Sequence, residues 1–141
     1  MREFVVPIEI AAPPARVWAV MADLKSWPAW TASIASVTMR GAMVPGIGSE
    51  VRVRQPKLLP STWMITDWRP NAGFTWVTQS MGVRAVGVHA IEPTTSGSRV
   101  TLSLTFEGVL APLVAAVAGD LTMRYIQMEA NGLKAASERA P

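Results

Sequence analysis

The chain has 141 residues, 50% of them hydrophobic, with no cysteine, one histidine and a formal net charge of +3. That is enough chain for one domain, residues 1–141, to bury a core without staples, and the absence of sulfur ligands excludes disulfide frameworks, thiol nucleophiles and cysteine-built zinc sites. The 13 basic residues are scattered among 10 acidic ones rather than gathered into a patch, which argues against nucleic acid as a partner.

The N-terminal segment has a short apolar run interrupted by Glu9, too polar for a signal peptide, and no apolar run reaches the roughly 18–20 residues of a membrane span. A cytoplasmic protein without stable membrane insertion is expected. Glu3 to Ala11, rich in Val and Ile, predicts a first strand, and Pro7 inside it marks an edge or a bulge. Pro13 and Pro14 then open a short helix through Ala22, with Val17, Trp18 and Met21 on one face. Asp23 stops it, and Trp27-Pro28-Ala29-Trp30 forms a second tight, bulky element that acts as a plug.

From Ile34 to Phe106 the pattern is that of strands. Val37 and Met39 alternate with polar residues up to Gly41, and Val51 and Val53 alternate with Glu50, Arg52 and Arg54. Ser61 to Arg69, Phe74 to Gln79, Val83 to Glu92 and Arg99 to Glu107 follow, separated by proline- and glycine-bearing turns. The last is the cleanest half-buried strand, with Val100, Leu102, Leu104 and Phe106 alternating with Thr101, Ser103, Thr105 and Glu107.

Pro112 to Glu138 contains no further proline, and Leu113, Val117, Leu121, Tyr125, Met128 and Gly132 recur at helical steps, so this is an amphipathic helix of about 40 Å. Gly119-Asp120 joins a poor helix former to a capping residue, which makes it a candidate break and a hinge where a ligand would enter. Strands followed by a long helix give an α+β domain whose antiparallel sheet curves around that helix.

The stretches Ile8 to Trp18, Asp23 to Trp30, Trp63 to Pro70, Phe74-Thr75-Trp76, His89 to Pro93, Gly97 to Thr101 and Gly132-Leu133-Lys134, in that order, resemble the SRPBCC (START-related) superfamily. They are most similar to its bacterial polyketide cyclase/dehydrase or lipid-transport-like members. The resemblance covers nearly the whole chain and implies the helix-grip fold: seven antiparallel strands curled around a C-terminal helix, two short helices between strands 1 and 2, and a mostly apolar cavity. Because such members include carriers, hormone-binding proteins, cyclases and co-chaperones, the fold alone decides little about activity.

His89, the only histidine, excludes a histidine metal cluster, so no metal or other cofactor is expected. It is a packed core histidine, a residue that orients a ligand, or a general acid or base, and it faces the cavity if the Ile91 side of its strand does. Asp67 shares a strand face with Trp63 and Ile65; Met64, Thr66 and Trp68 form the other, and either face can be the inner one. Inside, Asp67 would need a partner such as an arginine or His89; otherwise it is a solvated strand-end carboxylate. The large rings and thioethers on converging elements give the expected cavity set: Trp30, Trp63, Ile65, Phe74, Trp76, Met81, His89, Ile91, Phe106, Met123, Tyr125, Gln127 and Met128.

No phosphate loop, nucleophile elbow or paired carboxylates appear in the sequence. The leading expectation is a monomer or homodimer that binds a hydrophobic or aromatic small molecule, lipid- or polyketide-like, in its interior. The alternatives are a polyketide cyclase-like enzyme in which His89 or Tyr125 moves a proton, and an interaction module with an exposed apolar patch.

Overall fold

The computed structural model describes residues 2–41 and 44–139. Among these residues seven strands, β1 (Arg2–Ile10), β2 (Ser36–Arg40), β3 (Glu50–Arg54), β4 (Ser61–Arg69), β5 (Gly73–Ser80), β6 (Val83–Thr94) and β7 (Gly97–Glu107), form one antiparallel sheet in the order β1-β7-β6-β5-β4-β3-β2. Between β1 and β2 lie α1 (Pro14–Ala22), one 3-10 turn (Leu24–Ser26) and α2 (Trp27–Trp30). The chain closes with α3 (Ala111–Glu138), which packs on β1, β6 and β7 and against both short helices. This is the helix-grip fold.

Each element follows from local chemistry. Pro7 sits opposite Thr101 on β1, which pairs only with β7, so its missing N–H interrupts no second ladder. Pro14 occupies the first turn of α1, where an N–H would be unpaired anyway. In β7 the residues Val100, Leu102 and Phe106 are buried as the alternation requires.

Strand β4 departs from strict alternation. Ile65 pairs with Trp76 and Asp67 with Thr75, so Thr66 is the extra residue of a bulge. Ahead of the bulge Trp63 and Ile65 point inward. Beyond it Trp68 packs edge-on against Trp18 and near Phe74, while Asp67 is half-exposed and pairs with Arg69 at 2.9 Å. Both tryptophans of this strand therefore face the interior, and Asp67 is a surface carboxylate.

Two expectations for α3 are corrected. The helix runs unbroken through Gly119-Asp120 for 28 residues, and Gly119 is buried against the ring of Phe4, so there is no hinge at that point. Its buried positions are mostly small, including Ala111, Gly119, Ala130 and Ala136 beside Tyr125 and Leu133. Leu113 and Val117, expected on the buried stripe, are 59% and 80% exposed.

The interior has two halves. At one end Val17, Met21, Leu24, Trp27, Phe74 and Leu133 are fully packed, with the Trp27 indole N–H donating to the Met21 carbonyl at 2.9 Å. At the other end the sheet and the first half of α3 stand apart.

The C-terminal turn of α3 is fastened to the end of β1. The Ala11 N–H donates to Glu138 Oε2 at 2.7 Å, and Lys134 Nζ lies 2.6 Å from the same oxygen. The Ala11 bond first, and then Lys134, hold the Glu138 carboxyl below its ordinary value. A depressed carboxylate stabilises the fold above its ordinary titration range, and that contribution is lost as pH falls through the lowered value. Glu138→Gln is expected to have a smaller fall in Tm on acidification through the carboxylate range than the parent protein. Equal falls in a thermal melt series would contradict the linkage.

Candidate functional site

The gap between sheet and helix is a cavity of about 540 Å³, within the range of roughly 300–1,000 Å³ common for small-molecule sites. Its walls are Val53, Trp63, Trp76, Ala85, Leu102, Leu104 and Phe106 from the sheet and Val114, Ala118, Thr122, Tyr125 and Ile126 from α3. These helix positions recur at three- and four-residue steps, so one face of α3 forms one wall. Lys57, Leu58 and Leu59 of the β3–β4 loop stand at the mouth. The Tyr125 hydroxyl donates to the Pro56 carbonyl, tying that loop to the helix.

Gly87 shapes the cavity from below. It pairs across the ladder with Trp76, and a Cβ at Gly87 would lie 2.8 Å from the Trp76 indole nitrogen. A side chain at Gly87 would push that ring out of its place. The Trp63 N–H is satisfied by Ser61 Oγ at 2.9 Å, and the Thr78 hydroxyl by the Thr62 carbonyl at 2.8 Å.

The ionisable groups at the inner end form a pair. His89 is buried and stacks on Phe74, with ring centroids 4.2 Å apart and planes 9° off parallel, while Trp27 and Trp76 meet it edge-on. Its Nδ1 faces the Phe74 carbonyl oxygen at 3.3 Å, and its Nε2 faces Glu129 Oε2 on α3 at 3.4 Å. An ionised carboxylate and a carbonyl only accept hydrogen bonds, so both ring nitrogens are satisfied when both carry hydrogen. A neutral ring is satisfied only if Glu129 carries the proton instead. The two side chains thus face each other at the floor of an otherwise largely apolar cavity.

Of the residues expected around the cavity, Trp63, Trp76, His89, Phe106 and Tyr125 line it. Trp30, Ile65, Phe74 and Ile91 do not: Ile65, Phe74 and Ile91 are buried in the core, and Trp30 packs beside Trp27. Met81 stands at the β5–β6 turn, 93% exposed. Met123 and Gln127 lie on the outer side of α3, and Met128, half-buried, is not part of the lining.

Glu129 was missed by sequence reasoning. Its signal is an acidic residue one helical turn beyond Tyr125, on the same face of α3 and therefore aimed inward. Among the described residues no group of three or more His, Cys, Asp or Glu could hold a metal ion, and no helix is long and apolar enough to cross a membrane.

Comparison with protein families gives one model that spans residues 1–138, described as polyketide cyclase / dehydrase and lipid transport. The chain belongs to this family. No curated protein matches the sequence. Solved structures with the same fold as this family member include TTHA0849 from Thermus thermophilus, at 20% identity and a TM-score of 0.76, covering 96% of this chain and 97% of that one. The Zhui aromatase/cyclase from a Streptomyces species is 18% identical with a TM-score of 0.76, covering 98% and 94% of the two chains. The di-domain ARO/CYC StfQ of the steffimycin biosynthetic pathway is 14% identical with a TM-score of 0.75, over 96% of this chain and 50% of that one. At these identities the likeness establishes the fold, and the chemistry of this family member has to be argued from its own cavity.

Proposed function

We propose that this protein binds a hydrophobic or aromatic small molecule, lipid- or polyketide-like, between the sheet and α3. The observation that carries the proposal is the cavity of about 540 Å³ with aromatic walls, open at one end and bearing the His89–Glu129 pair at the other. Burial of ligand surface supplies the driving force at roughly 25 cal/mol per Å² of apolar area. The His89–Glu129 pair sets orientation by meeting a hydroxyl or carbonyl oxygen carried on the leading end of the ligand. Membership in a family described by lipid transport and polyketide cyclisation is consistent with such ligands.

Native mass spectrometry of protein purified from its own host, joined to tryptophan fluorescence titration with lipids and aromatic polyketides, tests this. Trp63 and Trp76 stand in the cavity wall, so an occupied cavity is expected to change their emission. Absence of both a co-purified ligand and a fluorescence response would overturn the proposal.

The same pair supports a second reading, a cyclase-like enzyme. Confinement folds a reactive chain, and His89 with Glu129 gives and takes the proton that carbon–carbon bond formation and loss of water require.

A further inference from the structure

The connections at one end of the sheet carry exposed apolar tips. The β3–β4 loop presents Leu59, 89% exposed, the β5–β6 turn presents Met81, and the β7–α3 turn presents Val109. The first turns of α3 add Leu113 and Val117. This is the end at which the cavity opens, because Leu58, Leu59, Ser80, Val83 and Val114 form its outer lining. The Leu110 N–H donates to the Gly82 carbonyl at 2.9 Å, which fastens two of these connections together beside the mouth.

At the opposite end the β4–β5 and β6–β7 turns present Asn71, Thr95 and Ser96; among the described residues the large apolar side chains exposed there are Val44 and Ile47 of the β2–β3 connection. The outer face of α3 also changes character along its length. From Gly108 to Gly119 there is no charged residue, whereas Asp120, Arg124, Asn131 and Lys134 follow. A solvated helix face does not require an apolar first third.

Charge around the mouth is predominantly basic. Arg2, Arg54, Lys57 and Arg84 stand at the strand ends and in the β3–β4 loop of this end, against Glu3 and Glu107, and Glu107 is already paired with Arg84 at 2.8 Å. Apolar tips raised on separate turns suit insertion among lipid chains better than a flat protein face, and a surrounding basic excess suits an anionic surface. We propose that this end of the molecule docks peripherally on anionic phospholipid bilayers, with Leu59, Met81, Val109, Leu113 and Val117 entering the interfacial layer. Docking places the mouth of the cavity against the hydrocarbon region, so the ligand passes from bilayer to cavity without crossing water. That purpose rests on the ligand-binding reading; the docking itself does not.

Flotation of the full chain with vesicles tests it. Mixed phosphatidylcholine and phosphatidylglycerol vesicles are expected to carry the protein into the lipid layer, and phosphatidylcholine alone several-fold less. The double substitution Met81→Asp, Val117→Asp is expected to lower partitioning about tenfold or more, while Val44→Asp at the opposite end changes it by less than about twofold. Neither Met81 nor Val117 lines the cavity, so the double variant should keep its fluorescence response to ligand in lipid-free buffer. Loss of that response in every variant and in the parent would count against the cavity reading alone. Absence of parent protein from the lipid layer, equal uptake by the two vesicle types, or uptake unchanged by the double substitution would overturn the docking. So would a dimer in sedimentation that the double substitution dissolves while lipid uptake is absent, because a second copy would then cover the patch.

Discussion

Replacing Gly132 with alanine is expected to destabilise the fold by about 2–4 kcal/mol, although alanine is the better helix former by roughly 1 kcal/mol. Gly132 lies in α3 where α2 crosses it, and a Cβ built there lands on the carbonyl oxygen of Trp30. The obstacle is backbone, and it cannot rotate away as a side chain would. Either α2 lifts, or α3 shifts and disturbs Leu133 in the core. Lifting α2 also moves Trp27, which is 1% exposed and meets Phe74, Trp76 and His89. Urea unfolding of Gly132→Ala should show a lower midpoint at unchanged slope. A variant as stable as the parent, or more so, would mean that α2 is not held against α3 as described.

The second large effect concerns the pair at the cavity floor. With His89→Ala, a carrier is expected to lose about tenfold or less in ligand affinity, the worth of one hydrogen bond of about 1 kcal/mol. A cyclase that uses this ring as acid or base is expected to lose about 10²–10⁴ in turnover on a polyketide substrate. Glu129→Gln sharpens the comparison. The amide can donate to a neutral Nε2, so shape and stability are retained, but it cannot take up or release a proton as a carboxyl can. Turnover that falls with Glu129→Gln while affinity is kept would favour the enzyme; affinity and any turnover both within about threefold of the parent would favour the carrier.

Much of the architecture was legible because strong local signals agreed. The alternation of Val100, Leu102, Leu104 and Phe106, the Pro13-Pro14 start of α1 and the proline-free run after Pro112 each had one physical solution. The face of α3 that meets the sheet did not. Between Val109 and Ala118 every residue is apolar or proline, so no polar side marks the outward direction, and periodicity alone puts the large side chains inward where the close contact with β1 and Phe4 selects small ones. The bulge at Thr66 was equally hidden, since a single inserted residue leaves composition unchanged while it reverses which side chains face inward.

The candidate site was read less completely. Trp63, Trp76 and Phe106 line the cavity, yet Ile65, Phe74 and Ile91 lie in the core beside it rather than along it, because Trp27 and the other side chains of the α1–α2 region fill that half. Sequence gives the face of a strand but not how far along it the packing stops. Glu129 was overlooked because charge on a helix is ordinarily solvated, and only the register of α3 against β6 brings it to His89.

The central claim is that the space between the sheet and α3 is a ligand site, and filling that space tests it most directly. Ala118 lines the cavity from α3 and is half-buried, so Ala118→Trp places an indole in the volume while keeping a helix former of acceptable propensity. Titration with the neutral aromatic probe N-phenyl-1-naphthylamine is predicted to give saturable, one-to-one fluorescence enhancement in the parent protein and about tenfold weaker binding or none in Ala118→Trp, at a closely similar Tm. Equal binding by the two proteins, or no saturable binding by the parent, would contradict the account.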